Sequence, residues 1–451
     1  LYNVNMMNNN IYNDFNNKKR NYLRIIQRVF LSLAVIAATL AFVFLGSFLG
    51  RVTSKPSDEP IFRVTSTTSS SETTAPETTT QATTTIPAVS ELLASDALSD
   101  ELWGPLPEVT QYTPLTRNNV HGIYIGTAQN LDANIELANN SEINSFVIDL
   151  KESYGICFNT TNELANSLGY VDVQYDLQDV CQECHDNGIW VIGRIVCFKD
   201  STLASARPDL AICDVTDTPL LFYNEGSEAF INPYNPENWD YLIDLAIEAI
   251  EMGVDEIQFD YVRFPTGGTT TGASPYYGIE GEVPSRSAAI NRFLQTARRE
   301  IQYTYGVPVS GDVFGIAVSS RPDGNILGQD WPTIGLTGVD SLCPMIYPSH
   351  YALGTILNGT TYPTPDTAPY DIVYYALMAG STYHNQAGYS VVRPYLQAFD
   401  ASYLGTGNYM TYDYNAINSE IRAVQDAGLD EFILWNQRAE YPTGNYGGNA
   451  G

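Results

Sequence analysis

With 451 residues and 44% hydrophobic side chains, the chain is long enough for one large folded domain plus appendages and too apolar to be disordered throughout. A formal net charge of −29 with only five lysines argues against a nucleic-acid partner, whose phosphates such a surface repels. The 31 tyrosines suit a site for neutral, hydroxyl-rich ligands, and equally suit an ordinary surface.

Residues 1–28 are Asn-rich and carry Lys18, Lys19, Arg20, Arg24 and Arg28, a basic cytoplasmic tail. No charge appears from 29 to 50, and these 22 residues span roughly 33 Å as a helix, enough for a bilayer core. A cleaved signal peptide has a shorter apolar region and a small-residue cleavage site, so the expectation is one transmembrane signal anchor. The basic flank stays inside, which places everything after Arg51 outside the cell. Residues 51–116 open with a run of Ser, Thr and Pro that has no apolar period, read as an extended extracellular stalk.

From 117 to 442 the texture changes. Apolar, β-forming runs at 120–128, 143–151, 189–198, 255–262, 307–313, 340–347, 391–398 and 431–436 alternate with helical patterns. One helix, beginning near Pro236, shows an apolar stripe of Trp239, Leu242, Ala246, Ala249 and Ile250. Gly188, Gly253, Gly306, Gly338 and Gly428 each close a helical stretch just before a strand. The fold class is α/β: a (β/α)8 barrel behind one transmembrane helix and a disordered linker, with a flexible tail at 443–451. An open doubly wound sheet is the runner-up, but the turn after the first strand lacks G-x-G-x-x-G.

Long strand-to-helix loops follow strands three, four, six and seven, and all lie at the barrel's C-terminal face, where active sites form. Strand alternation puts Glu256, Gln258, Asp260 and Val262 on the inward face of "DEIQFDYV", with Ile257, Phe259 and Tyr261 outward. In "VPVSGDVFG", Ser310 and Asp312 face inward. Strand two adds Asp149 and strand three Arg194. Strand six ends in Tyr347 shortly before His350, strand seven carries Gln397 with Arg393 and Tyr395 on the same face, and strand eight ends in Trp435. The polar residues are therefore expected to crowd one end of the barrel.

Only four histidines and no G-x-S-x-G elbow disfavour Ser–His–Asp chemistry. No H-x-H or H-E-x-x-H signature points to a metal, although a carboxylate-only Mg²⁺ or Ca²⁺ site stays open. No cofactor is expected. Cys181-x-x-Cys184-His185 matches the spacing of haem attachment but reads better as two half-buried helix cysteines. Paired carboxylates with aromatic walls suit glycoside hydrolysis: one protonates the leaving oxygen, the other attacks carbon or activates water. Asp260 is the candidate nucleophile or base and Asp312 the candidate acid, with Asp149 in reserve. Arg263 or Arg194 beside Asp260 would keep it ionised; the rival reading is a structural Asp260 that caps a loop or pairs with Arg263.

The motifs "EIQFDYVRFP", "GRIVCFKD", "VSGDVFG", "MIYPSHY" and "ILWNQRAEY", in this order, resemble the bacterial glycoside hydrolase family first catalogued as a domain of unknown function. The likeness runs from about Val120 to Tyr441, and "FDYVRFP" with "YPSHY" is its most specific combination. It implies an exported barrel related to other barrel glycosidases, and it carries the motif positions Asp260, Arg263, Asp312, Tyr347, His350 and Trp435. The expected partner is a polysaccharide or oligosaccharide, bound by Asp149, Arg194, Arg263, Tyr347, His350, Gln397 and Trp435. The alternative is a non-catalytic carbohydrate-binding or cell-wall-binding barrel using the same cleft.

Overall fold

The computed structural model describes residues 93–94, 96–214, 220–224, 227–266 and 275–448, all within one unit, Thr83–Gly451. The basic tail, the apolar run at 29–50, most of the Ser/Thr/Pro stretch and the Thr-rich residues 267–274 lie outside the described residues. Among the described residues, no helix is long and apolar enough to cross a membrane.

Eight parallel strands form a closed barrel. They are β1 (His121–Gly126), β2 (Ser145–Glu152), β3 (Trp190–Val196), β4 (Glu256–Asp260), β5 (Val309–Phe314), β6 (Ser341–Met345), β7 in two pieces (Val391–Val392 and Tyr395–Gln397) and β8 (Phe432–Trp435). Each of the eight expected strands is present. Closure comes from β1, which pairs with both β2 and β8 in parallel register, Gly122 meeting Ser145 on one side and Ile433 on the other. Helices wrap the outside, among them Leu177–Asp186, Pro236–Glu251, Arg286–Ala297, Pro369–His384 and Tyr414–Asp426. The first, second and last of these start at an Asp or Asn whose side chain accepts from a first-turn N–H, which satisfies a donor the helix itself cannot. The five helix-closing glycines all adopt positive φ, from +69° at Gly306 to +109° at Gly253. At Gly306 a second reason applies, because a Cβ there would sit 2.5 Å from the carbonyl oxygen of Pro114.

Strand alternation divides the apolar residues into two layers. Phe146, Leu150, Ile195, Ile257, Phe259 and Leu342 face the helices in the main core. Val147, Ile192, Cys343, Tyr395 and Ile433 fill the barrel interior. The two residues after β4 do not continue the expected alternation. The strand ends at Asp260, Tyr261 turns into a left-handed conformation (φ 49°), and Val262 joins the outer core instead of pointing inward.

Polar side chains occupy both ends of the interior, not one. At the N-terminal end, fully buried Arg393 binds Glu256 (2.6 Å) and Glu431 (2.7 Å) and donates to Ser341, while Ser310 donates to Glu256. Arg117 bridges Asp340 and Glu431 at the same end. Arg393 and Glu256 are therefore a structural plug on the side of the barrel away from the long loops.

Two boundaries also move. Residues 97–116, expected in the stalk, pack on the barrel. The helix Ala97–Trp103 is held by Arg292–Asp100 (2.5 Å) and by the Trp103 indole donating to the Tyr234 carbonyl. Thr113 and Thr116 then donate to Tyr303 and Gly306 carbonyls. At the other terminus, residues 443–448 of the expected flexible tail are docked: Tyr446 is fully buried with its ring edge-on to Tyr414, and Gly448 N–H donates to Asn418. Both additions bury apolar rings that the barrel alone leaves uncovered.

Candidate active site

Four strands bring charged side chains together at the C-terminal end of the interior. Arg194, from β3, is the hub. Its Nη1 donates to Asp149 Oδ1 and Glu152 Oε1, both at 2.6 Å, and its Nη2 and Nε both reach Asp260 Oδ2, at 2.6 and 2.9 Å. The register explains part of this: Asp149 lies beside Arg194, and Arg194 beside Gln258, two residues before Asp260. Glu152 is three residues after Asp149 and in a regular strand would point to the opposite face. A register shift between Asp149 and Lys151 inserts an extra residue, so both carboxylates reach one guanidinium.

The same irregularity leaves Lys151 fully buried, where it pairs with Asp200 at 2.8 Å and donates to the Val196 carbonyl. This pair locks the end of β2 to the segment after β3.

Asp260 is held on both oxygens. Oδ2 takes the two Arg194 bonds, and Oδ1 accepts from the N–H of Tyr261 at 2.5 Å. The left-handed Tyr261 is the backbone feature that turns this N–H back onto the side chain. Asp312 enters from β5, where the pairing of Phe259 with Gly311 sets Asp260 and Asp312 next to one another on neighbouring strands. Asp312 is 2% exposed, and its Oδ1 has no hydrogen-bond partner among the described residues. Burial, reinforced by the charge of Asp260, pushes the Asp312 carboxyl well above the usual carboxylate range. Burial also raises Asp149, with Arg194 pulling against it and Glu152 adding to it. At Glu152 burial is outweighed by the charge and hydrogen bond of Arg194, and its pKa falls. One site thus sets a carboxyl pushed towards its protonated form beside carboxylates bound to a cation.

Aromatic rings surround the cluster. Tyr124, from β1, donates to Asp149 Oδ2 at 2.5 Å and lies parallel to Trp435, centroids 6.1 Å apart. Tyr347 and Phe399 pack against Trp435 at 5.9 and 5.2 Å. His350 sits exposed on the rim, edge-on to Tyr347, and the protein mass beside it lowers its pKa.

Asp149, Arg194, Asp260, Asp312, Tyr347 and Trp435 are thus brought together, with His350 at the edge. Two candidates stand apart. The guanidinium of Arg263 lies among the rings of Phe314 (4.5 Å), Tyr261 (5.1 Å) and Phe230 (5.5 Å) and donates to the Phe264 carbonyl, whereas the hydrogen bonds to Asp260 come from Arg194. Gln397 is fully buried. Its amide nitrogen donates to Asp366 and the Phe399 carbonyl, and its amide oxygen accepts from Ser349, so it fastens loops together and offers nothing to a ligand. Tyr124 and Glu152 were not expected. The alternation of β1 gave a signal for Tyr124, whereas Glu152 depends on the register shift.

Among the described residues, no group of three His, Cys, Asp or Glu could hold a metal ion. The six cysteines are free thiols, and Cys181 and Cys184 are fully buried against neighbouring elements instead of half-buried. A groove of about 940 Å³ lies on the outer wall, away from these carboxylates.

Fold and site together define a class, the (β/α)8-barrel glycoside hydrolases. More particularly, the chain belongs to the family described as "Putative glycosyl hydrolase domain", whose model matches residues 119–441. A hypothetical protein from Ruminiclostridium thermocellum ATCC 27405 is 35% identical over 42% of this chain and 97% of its own, with a TM-score of 0.37. The PgaB (BpsB) glycoside hydrolase domain from Bordetella bronchiseptica is 11% identical over 72% of this chain and 95% of its own, with a TM-score of 0.50, a likeness of fold alone. The alpha-amylase from H. orenii is 14% identical over 73% and 71%, with a TM-score of 0.43. A search of curated proteins returns no match.

Proposed function

We propose that this chain hydrolyses glycosidic bonds of a polysaccharide outside the cell, using Asp312 as general acid and Asp260 as nucleophile or base. The observation that carries this reading is the unlike pair on neighbouring strands: a buried carboxyl with an unpartnered oxygen, pushed towards its protonated form, beside a carboxylate fixed by two guanidinium hydrogen bonds. Asp149, Glu152, Arg194 and Tyr347 orient the pair. Trp435, Tyr124 and His350, which keep contact with solvent, receive the sugar. Proton transfer from Asp312 to the leaving oxygen breaks the C–O bond, and Asp260 supplies the electrons to the anomeric carbon directly or through water. The uncharged run at 29–50 with its basic flank supports a membrane tether, and the acidic composition supports an exported domain.

A second reading, a barrel that binds sugar without cleaving it, draws on the enclosure of the pair: Asp260 is 4% and Asp312 2% exposed. A polysaccharide panel read for new reducing ends separates the two. Cleavage that survives Asp260→Asn removes Asp260 from the mechanism. Saturable binding with no new ends in the wild type favours the binding protein.

A further inference from the structure

We propose that Cys343 is a positioning residue for the candidate acid: its thiol donates to Asp312, at the end of a one-way run of buried hydrogen bonds that starts at Tyr395 and passes through Gln258. The value of this run to catalysis rests on the hydrolase reading above; the hydrogen bonds themselves do not.

The distances give the run its direction. Tyr395 and Gln258 approach to 2.6 Å, a separation usual for O–H···O and short for N–H···O, so the Tyr395 hydroxyl faces the amide oxygen of Gln258. That oxygen only accepts, so the hydroxyl donates. The amide nitrogen is thereby turned to Cys343 Sγ at 3.4 Å, and an amide nitrogen only donates. With its sulfur accepting from Gln258, the thiol still has its own hydrogen to give. Cys343 pairs with Asp312 in the β5–β6 register, which sets the two side chains next to one another in the barrel interior. A hydrogen bond from Cys343 is among the influences that favour ionised Asp312, working against burial and the charge of Asp260. Gln258 and Cys343 are fully buried and Tyr395 nearly so, and water does not compete along the run.

The charges that face Asp312 come from Asp260 on β4, Arg194 on β3 and Arg393 on β7. Cys197, Tyr347 and Tyr395 also lie about it, and burial raises each well above its ordinary value, so they stay uncharged. Cys343 does the same: burial, with the charge of Asp312 behind it, pushes the thiol up, and it remains an S–H donor. Burial alone holds the Asp312 proton tightly, and an acid that holds too tightly gives up its proton poorly. A donor aimed at the carboxylate eases that release. A thiol is a weak donor, so it tempers the effect of burial without abolishing it, as the stronger hydroxyl of a serine would tend to do.

Two measurements on the full chain test this. The first needs no substrate: the S–H stretching band of Cys343 in Raman spectra, identified as the one lost in Cys343→Ser. It is expected to fall in frequency as Asp312 ionises, because a carboxylate is the stronger acceptor, and to lie higher in Asp312→Leu, or in Asp312→Ala should the leucine variant not fold. A band that responds neither to pH nor to loss of the carboxyl overturns the proposal. The second is the pH profile of kcat/KM on soluble xylan, β-glucan, mannan or amylose, whichever the wild type cleaves. Cys343→Ala removes the donor and should move the alkaline limb up by about one pH unit, whereas Cys343→Ser should move it down. Tyr395→Phe frees the Gln258 oxygen to turn and accept from the thiol, and should move the limb up as the alanine variant does. A packing defect alone lowers kcat or the thermal midpoint without shifting the limb in opposite directions for Ala and Ser. Limbs that stay in place, or that move the same way in both, overturn the proposal while cleavage by the wild type upholds the hydrolase reading. Cleavage of none of the glycans overturns the hydrolase reading and with it the catalytic use of the run, and the S–H band still decides the contact between thiol and carboxyl.

Discussion

Replacing Arg194 by Met removes the cation at the centre of the site and leaves its carboxylates in place. The size of the effect follows from burial. Arg194 makes four hydrogen bonds of 2.6–2.9 Å; its side chain is 12% exposed, and those of Asp149 and Asp260 are 4% and 6%. Glu152, at 19%, has water to replace the bond it loses and adds less. Breaking a buried pair by deleting one partner costs about 3–5 kcal/mol, because the other charge stays behind. With an m-value of about 3 kcal/mol/M for a barrel of this size, the urea midpoint at pH 7 should fall by roughly 1–1.7 M. The pH dependence gives the sharper test. Without Arg194, Asp149 rises further above its unfolded value, and Glu152 loses the charge and hydrogen bond that chiefly lower it, so burial weighs more heavily against its ionised form. Groups whose folded pKa lies above the unfolded value bind protons more tightly when folded, so the variant gains stability as pH falls through their range. The wild type keeps the contribution of Glu152 down to the ordinary carboxylate range and loses it only below. The gap between the two should therefore narrow from pH 7 to pH 5. A loss under about 1 kcal/mol at pH 7, or a gap that widens on acidification, refutes the account of Arg194 as the site's counter-charge.

Asp260→Asn should lower kcat about 10²–10⁴-fold at a temperature where the variant is still folded by circular dichroism, measured on whichever glycan the panel identifies; unaltered kcat excludes it. Because Asp312 acts as an acid only while protonated, kcat/KM should fall as pH rises through its raised pKa. That alkaline limb belongs well above the ordinary carboxylate range near 4, and a limb at about 4 disqualifies Asp312. The raised folded pKa also means that ionised Asp312 opposes folding at high pH. Asp312→Asn should accordingly match or exceed the wild-type thermal midpoint at pH 8, and a clearly lower midpoint contradicts the assignment. Gln397→Ala should cost about 1–3 kcal/mol by urea unfolding with KM unchanged, since Asp366 and Ser349 lose partners but the substrate does not; a raised KM would return Gln397 to the binding site.

The eight strands were legible because each carries a β-branched or aromatic run with a glycine or proline stop. The inward set at the mouth was legible because alternation alone assigns Asp149, Arg194, Asp260 and Asp312 to one face. Alternation fails where the backbone breaks its period. Glu152 reaches Arg194 only through the register shift beside Asp149, and Val262 leaves the interior because Tyr261 turns left-handed. It is also silent about height. Arg393 and Glu256 share a face with Gln397 and Asp260 but sit at the opposite end of the barrel, a depth set by how each strand is staggered against its neighbours. Nor could the sequence show that Gln397 is consumed, because its partner Asp366 comes from a different connection, 31 residues away.

The two charged layers also show why one end of the barrel is the working end. In the lower layer Arg393, Arg117, Glu256, Glu431 and Asp340 each have an ion pair or hydrogen bond within the protein. Such a closed network fixes register and gives a ligand nothing to bind. Between the layers lie Val147, Ile192, Cys343, Tyr395 and Ile433, with Tyr395 donating to Gln258. Among the described residues the upper layer is nearly as well paired, but Asp312 keeps an unpartnered oxygen in a buried setting. A protein under selection for stability alone replaces a carboxyl of that kind with an apolar side chain of similar size. Retaining it beside a fixed Asp260 is understandable if the missing partner is the oxygen of a substrate, which makes that single atom the most informative position in the barrel.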